Sequence, residues 1–147
     1  MILPIKILIT IITFFFMEFV AWSVHKYIMH GFLWSLHKDH HQVDKNKVMQ
    51  KNDYFFLIFA IPSILLIFNG FESSHYTLFI GFGIALYGMA YFIVHEIIIH
   101  QRIRIFKRLN NRYIKGIRMA HKVHHKNKYK HNGTSFGMLI VSFKYFK

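Results

Sequence analysis

Histidine is the residue type with the clearest capacity for chemistry in this sequence. The chain has 147 residues, of which twelve are histidine and none is cysteine. Without cysteine, disulfides, thiolate zinc sites and iron–sulfur clusters are excluded, and a bound metal must take nitrogen or oxygen ligands. Ten histidines fall into four boxes that alternate between H-x4-H and H-x2-HH. The boxes are His25 and His30; His37, His40 and His41; His95 and His100; and His121, His124 and His125.

The clustering of these side chains indicates a metal centre. A lone histidine is more often an ordinary polar side chain than a ligand, but ten clustered imidazoles reverse that weighting. In each H-x2-HH box, residues three and four apart share one face of a helix and can converge. One first-row ion rarely takes more than six ligands, so ten imidazoles predict a pair of metal ions. The spacing alone does not choose among zinc, copper and iron.

The H-x4-H boxes pose a geometric problem. Five residues at 3.6 per turn place two side chains roughly 140° apart on a straight α-helix. We therefore expect His25 and His95 in the last turns of their helices. We expect His30 and His100 where the helix bends, ends or turns toward the other metal ion.

The elements that position these boxes are long apolar runs at residues 2–24, 54–71 and 76–94. Crossing a hydrocarbon core of ~30 Å takes roughly 20 helical residues, so each run predicts a membrane span. Asn69, Gly70 and the Ser73-Ser74 pair mark a turn that makes the second and third runs a helical hairpin. In the third run, Gly81, Gly83 and Gly88 predict close approach of another helix.

The basic residues are distributed unevenly around these spans. Five lysines lie between the first and second spans, and eleven of the nineteen Lys and Arg lie between Arg102 and Lys130, with no acid among them. By the positive-inside rule, the N-terminus lies outside, and residues 25–53 and those after about 95 lie on the cytoplasmic side of the inner membrane. Residues 136–146 are apolar but too short to span, and we expect them at the interface or on the cap.

These features predict an all-α integral membrane protein with three to four transmembrane helices and a cytoplasmic, histidine-rich helical cap. The whole chain, residues 1–147, is expected to be one membrane-embedded domain.

Residues around the boxes resemble the motifs of bacterial β-carotene hydroxylases, which belong to the fatty acid hydroxylase and sterol desaturase superfamily. The similar segments are His25-Lys-Tyr-Ile-Met-His30-Gly31, His37-x-x-His40-His41, His95-Glu-x-x-x-His100-Gln-Arg, Ala120-His121-x-x-His124-His125 and Ser135-Phe-Gly-Met138. Two positions depart from the family pattern. Glu96 stands where the family usually has Asp, and Ile103-Arg104 stands where a Trp-Pro pair is usual.

The resemblance implies a non-haem di-iron monooxygenase in which the ten boxed histidines bind two iron ions. Such an enzyme uses O₂ to hydroxylate ring carbon 3 of β-ionone rings, which converts β-carotene to β-cryptoxanthin and zeaxanthin, with ketocarotenoids as further candidates. The chain has no cysteine and no flavin or nicotinamide fingerprint, so electrons must come from a separate donor. A ferredoxin-like protein or an NAD(P)H-linked reductase is expected, and the basic 102–130 segment could bind either this donor or anionic lipid.

Three carboxylates are candidate partners of the metal ligands. Glu18 is an intramembrane acid, for which function is the default hypothesis, although a pairing with a neighbouring helix is the alternative. Asp39 and Glu96 lie beside box histidines and are candidates to orient them. His75 and His131 are not expected to be ligands. Aromatic candidates for the walls of a substrate site are Phe14, Phe15, Phe16, Trp22, Trp34, Tyr87 and Tyr91.

Other functions remain open at this stage. A related superfamily enzyme acting on a fatty acyl chain or a sterol would use the same histidines. A membrane metal binder or transporter is less favoured, since the spans carry almost no polar ligands. A nucleic-acid binder ranks last, because its basic residues would lie against the membrane.

Overall fold

The helices follow the apolar runs and the histidine boxes. The computed structural model describes residues 2–42, 49–72, 75–103, 105–106 and 108–146. Within these ranges the secondary structure is helical without strands, which confirms the predicted all-α fold. The α-helices are α1 (Leu3–Ser23), α2 (Trp34–His41), α3 (Phe56–Glu72), α4 (His75–Phe92) and α5 (Arg112–Lys126). Ser73, Ser74 and Arg104, which the sequence analysis singled out, lie outside the described residues.

Two π-helical segments extend the first and last of the membrane helices. Val24–Phe32 continues α1 and Ile93–Ile99 continues α4, while 3₁₀-helices cover Lys51–Phe55 and Phe143–Phe146. A π-helix forms hydrogen bonds from residue i to residue i+5 and is uncommon outside functional sites. The first segment contains His25 and His30, and the second contains His95 and ends just before His100.

Three helical stretches are long and apolar enough to cross a membrane, as predicted. They are Leu3–Phe32 with 30 residues, Lys51–Glu72 with 22 and Tyr76–Ile99 with 24. Only 22%, 17% and 22% of their most apolar windows are buried inside the protein. Apolar surface of this extent is unfavourable in water, so these outward faces fit a lipid environment.

The fourth α-helix lies between the first and the third. Gly83 faces α1, where an added Cβ would lie 2.5 Å from the Cβ of Thr13. Gly81 faces α3, where an added Cβ would lie 2.6 Å from Cγ1 of Ile67. Close helix approach is therefore confirmed at these two glycines. At Gly88 the prediction is wrong, because nothing lies within 4 Å of an added Cβ and the residue faces open space.

The cap is built mainly from α2, α5 and the C-terminal segment. The side chain of Asn111 caps α5 by accepting a hydrogen bond from the N–H of Ile114 at 2.8 Å. Ile114 and Ile117 pack against Ile98 of the second π-helical segment, which fixes α5 to the end of the third span. The C-terminal segment then runs back to α1, where Met138 is buried.

Candidate metal centre

The π-helical segments bring the two histidines of each H-x4-H box together. The N–H of His100 donates to the carbonyl oxygen of His95 at 2.9 Å, which is an i to i+5 bond. The ring centroids are 4.5 Å apart for His95 and His100, and 5.4 Å apart for His25 and His30. The helix breaks directly after His30, at Gly31, and the second π-helical segment ends just before His100. The expected bends are present, and the π-helical turns are what make the rings converge.

The first histidine group consists of His25, His30, His37, His41 and His124, all buried and with ligand atoms within 4.8 Å of one another. Their Nε2 atoms point to a common centre. The Nε2–Nε2 distance is 3.1 Å between His37 and His41, 3.2 Å between His25 and His37, and 3.3 Å between His30 and His124. These residues come from the π-helical segment that continues α1, from α2 and from α5, so the group joins the cap to the first span.

The opposite nitrogens of these five rings all contact oxygen acceptors. The acceptors and distances from Nδ1 are Phe136 O for His25 (3.0 Å), Lys130 O for His30 (3.2 Å), Asn52 Oδ1 for His37 (2.6 Å), Asn127 O for His41 (2.8 Å) and Thr134 O for His124 (2.8 Å). Because a carbonyl oxygen only accepts, each ring carries its proton on Nδ1 and turns an Nε2 lone pair inward. Two unprotonated nitrogens cannot hydrogen-bond to each other. Five facing lone pairs therefore fit a bound cation.

The second histidine group consists of His40, His95, His100 and His121, which also lie within 4.8 Å of one another. The Nε2 of His100 is 3.2 Å from that of His95 and 2.9 Å from that of His121. Nε2 of His40 is buried and has no hydrogen-bond partner among the described residues. A buried lone pair without a partner is costly, and a metal ion would satisfy it.

His125 lies between the two groups. Its ring centroid is 4.5 Å from that of His41 and 4.7 Å from that of His40. Its Nε2 is also buried without a hydrogen-bond partner in the described part of the chain. All ten boxed histidines thus meet in one place, while His131 is exposed and the side chain of His75 is not among those described.

Burial keeps the cap histidines uncharged. It lowers the pKa of His37 and His125 to about 2, that of His124 to about 3, and that of His41 and His100 to about 4. Neighbouring imidazoles lower these pKa values further, because two cationic rings repel each other. Neutral imidazole is the form that binds metal, so the burial of the site favours ligation.

A chain of ion pairs holds the second histidine group from outside. Nδ1 of His95 lies 2.6 Å from Oε1 of Glu96, as the sequence led us to expect. The other oxygen of Glu96 forms an ion pair with Nε of Arg102 at 2.8 Å, and both Nη atoms of Arg102 donate to Asp53 at 3.0 Å. Nδ1 of His40 donates to Oε1 of Gln50 at 2.9 Å. The sequence analysis missed Asp53 and Gln50; their position just before an apolar span was the only available signal.

The two remaining carboxylates do not contact a histidine in the described contacts. Asp39 accepts hydrogen bonds from the backbone N–H groups of Lys51 and Asn52. It thereby holds Asn52, whose side chain accepts from His37, and so acts one contact further out than predicted. Glu18 is bound by the hydroxyl of Tyr87 and by the C-terminal segment.

An apolar cavity of about 830 Å³ adjoins the histidines. It lies between the halves of the three predicted spans that are nearer to the histidines, and it reaches His25 and Glu96. Small side chains make room for it, among them those of Ala60 and Gly88. Of the predicted aromatic walls, only Tyr87 and Tyr91 line the cavity; Phe14, Phe15, Phe16, Trp22 and Trp34 do not. Phe15 and Phe16 lie on the exposed side of α1, Trp22 stacks on Phe19 of the same helix, and Trp34 lies in α2 against His30 and His41.

The chain is similar in sequence to proteins of one hydroxylase family. The family model described as "Fatty acid hydroxylase" matches residues 10–144. The chain is 39% identical to a β-carotene hydroxylase of Pantoea ananas over 134 residues, which cover 91% of this chain and 76% of that protein. It is 36% identical to that of Pseudescherichia vulneris, with coverage of 91% and 76%.

A plant protein is also similar. The chloroplastic β-carotene 3-hydroxylase 2 of Arabidopsis thaliana is 32% identical over 128 residues, which cover 84% of this chain and 41% of the plant protein. No solved structure matches the chain. Since the family model covers nearly all of the sequence, this chain belongs to the fatty acid hydroxylase family.

Proposed function

We propose that this protein is a membrane di-iron monooxygenase that hydroxylates ring carbon 3 of the β-ionone rings of carotenoids. One observation carries the proposal. Nine imidazoles, eight of them buried, form two adjacent groups with inward nitrogens, and a tenth lies between them. Nitrogen-only ligation is compatible with iron but does not select it. The choice of iron and of a carotenoid rests on the similarity to β-carotene hydroxylases.

The reaction consumes O₂, two electrons and two protons for each ring carbon. One oxygen atom enters the C–H bond to give C–OH, and the other leaves as water. The bound iron pair would supply O₂ activation and electron transfer. The chain's own residues hold uncharged nitrogens inward through Nδ1 hydrogen bonds and exclude bulk water from the buried site.

The apolar cavity is the proposed binding site for the ring and the adjoining polyene. Its rim includes Phe56, Ile64 and Met89, which are 63%, 63% and 56% exposed and lie on membrane spans. A carotenoid dissolved in the bilayer can therefore enter sideways without crossing water. Inside, Tyr91 lies next to His95, with ring centroids 5.0 Å apart, so the cavity delivers its occupant to the histidines.

The charge distribution supports the proposed orientation and the need for a partner. Basic residues concentrate on the side of the histidine cap, which favours an N-terminus outside the inner membrane and a cytoplasmic site. No cysteine is available to hold an electron-carrying cluster. We therefore propose a separate electron-donor protein on the cytoplasmic side.

A related hydroxylase of fatty acyl chains or sterols is the second candidate. The family description and the open, apolar cavity fit this second candidate as well as they fit a carotenoid hydroxylase. Similarity to named β-carotene hydroxylases over 91% of the chain favours the carotenoid.

Expression in a β-carotene-accumulating bacterium tests the proposal. Pigment extraction and chromatography should reveal β-cryptoxanthin and zeaxanthin. His40→Ala should abolish the conversion, whereas His131→Ala, at an exposed position, should not change it. Unconverted β-carotene in cells that contain the folded wild-type protein would contradict the carotenoid as substrate.

A further inference from the structure

Glu18 is a carboxylate buried within the first membrane span. The residue is 6% exposed, and it lies near two other buried core residues, Ala21 and Tyr87. An acid at such a position is costly and is kept only where its oxygens are well bonded. Glu18 meets that condition through four hydrogen bonds.

Three of these bonds come from consecutive backbone N–H groups. Met138, Leu139 and Ile140 donate to Oε1 at 2.9, 3.0 and 3.0 Å. Successive N–H groups that converge on one oxygen form a concave anion-binding arrangement. The fourth bond comes from the hydroxyl of Tyr87, which donates to Oε2 at 2.8 Å. Glu18 thus fastens the C-terminal segment to α1 and, through Tyr87, to α4.

The fastened segment also holds the first histidine group. The carbonyl oxygen of Thr134 accepts from Nδ1 of His124 at 2.8 Å, and that of Phe136 accepts from Nδ1 of His25 at 3.0 Å. Ser135, between these carbonyls, has a φ of 60°, a left-handed conformation that is strained for a residue other than glycine. Such a backbone persists only where its surroundings fix it, and the bonds to Glu18 lie three residues further along.

The second histidine group has separate supports. His40 is held by Gln50 and His95 by Glu96, which Arg102 binds in turn. None of these side chains belongs to the C-terminal segment. Loss of the Glu18 contacts should therefore disturb one group and spare the other.

We propose that Glu18 is a positioning residue for the metal ion of the first histidine group, acting through the carbonyl oxygens of the C-terminal segment. The inference rests on the proposed function, since it requires two metal ions per chain. It assigns Glu18 no contact with substrate or metal.

Iron content of the purified protein tests the inference. Wild-type protein and variants are loaded with Fe(II) without oxygen, gel-filtered and analysed for iron per chain, with circular dichroism as the measure of folding. We expect two irons in the wild type, one in Glu18→Leu and two in Glu18→Gln, whose amide oxygen can still accept the three N–H groups. Met17→Leu, at the adjacent buried position, should keep two. Fewer than two irons in the wild type would contradict the proposed function, independently of Glu18.

Double variants identify the affected site. Glu18→Leu combined with His25→Ala should retain one iron, because both changes act on the first group. Glu18→Leu combined with His121→Ala should retain none. A helical Glu18→Leu protein that binds two irons, or none, would overturn the proposal.

If Glu18→Leu does not fold, Tyr87→Phe tests the positioning role of Glu18 instead. It removes one of the four bonds to Glu18 and should release one iron to a chelator about 10-fold faster than wild type, with the other unchanged. Release of both irons from Tyr87→Phe at the wild-type rate would overturn the proposal.

Discussion

The two histidine groups lie side by side but differ in what their outward nitrogens contact. Four of the five rings in the first group donate to backbone carbonyls, and only His37 donates to a side chain, that of Asn52. In the second group, His95 contacts the carboxylate of Glu96 and His40 the amide of Gln50. A carboxylate partner raises the basicity of its imidazole more than a neutral carbonyl does. The second group should therefore favour the more highly charged metal ion and respond more strongly to side-chain replacement.

Among replacements of the side chains behind the histidines, Arg102→Ala should have the largest effect on activity, because it leaves Glu96 and Asp53 without their cation. We expect activity to fall ~100-fold, at the upper end for residues behind metal ligands, with iron falling toward one per chain. Arg108→Ala, at an exposed position nearby in sequence, is the control. Pigment analysis and iron content measure the outcome, and an Arg102→Ala protein with two irons would show that the ion pairs do not hold the second group.

Gly88→Phe separates substrate access from metal binding. Its ring would fill open space in the cavity, so activity should fall on the order of 10-fold or more while both irons remain. Leu86→Phe adds the same ring at a position 44% exposed and outside the cavity lining. It should behave as wild type. Equal activity of both variants would place the substrate elsewhere.

Asn52→Leu probes the one side-chain acceptor of the first group. Its loss should weaken metal binding about 10-fold, since the other four rings keep their backbone acceptors. Asn52→Asp retains an oxygen for His37 and should remain close to wild type. Competition with a chelator measures the affinity. A loss as large as that of Arg102→Ala would remove the contrast between the groups.

Acid should destabilise the metal-free protein through both groups. An unfolded histidine binds a proton near pH 6.5, whereas the folded pKa is about 2 for His37 and about 4 for His100. Stability is therefore present above pH 6.5 and is lost as the pH falls below it, because only the unfolded chain takes up protons. Between pH 6.5 and 5 both rings stay neutral when folded.

His37→Gln and His100→Gln should each reduce this pH dependence by the same amount, despite their different folded pKa values. The contribution of each of these two histidines to the melting temperature of the metal-free protein should be a few °C in this window, about as expected for 1 kcal/mol. If the two variants changed the slope of melting temperature against pH by different amounts, one of the two rings would be protonated in the folded state.

The sequence predicted the parts of this molecule that depend on local pattern. Apolar runs predicted the spans, and histidine spacing predicted which residues would gather. The π-helical turns at His25–His30 and His95–His100 were not predictable, because an i to i+5 hydrogen bond has no local sequence pattern comparable to helix capping. The backbone partners of Glu18 lie about 120 residues away in the chain, so its role depends on tertiary structure. Gly88 borders the cavity and not another helix, so a small residue in a span does not by itself predict close helix approach.

The length of the first span determines where reactants meet. Leu3–Phe32 has 30 residues, roughly 45 Å at the rise of an α-helix, against a hydrocarbon thickness of ~30 Å. A helix this long carries its last turns, with His25 and His30, up to the level of the lipid headgroups. Dioxygen and hydrocarbons dissolve better among acyl chains, whereas protons and soluble electron carriers stay in water. On the proposed function, the extra turns would place the histidines at the boundary of two solvents, where each reactant arrives from the phase that concentrates it.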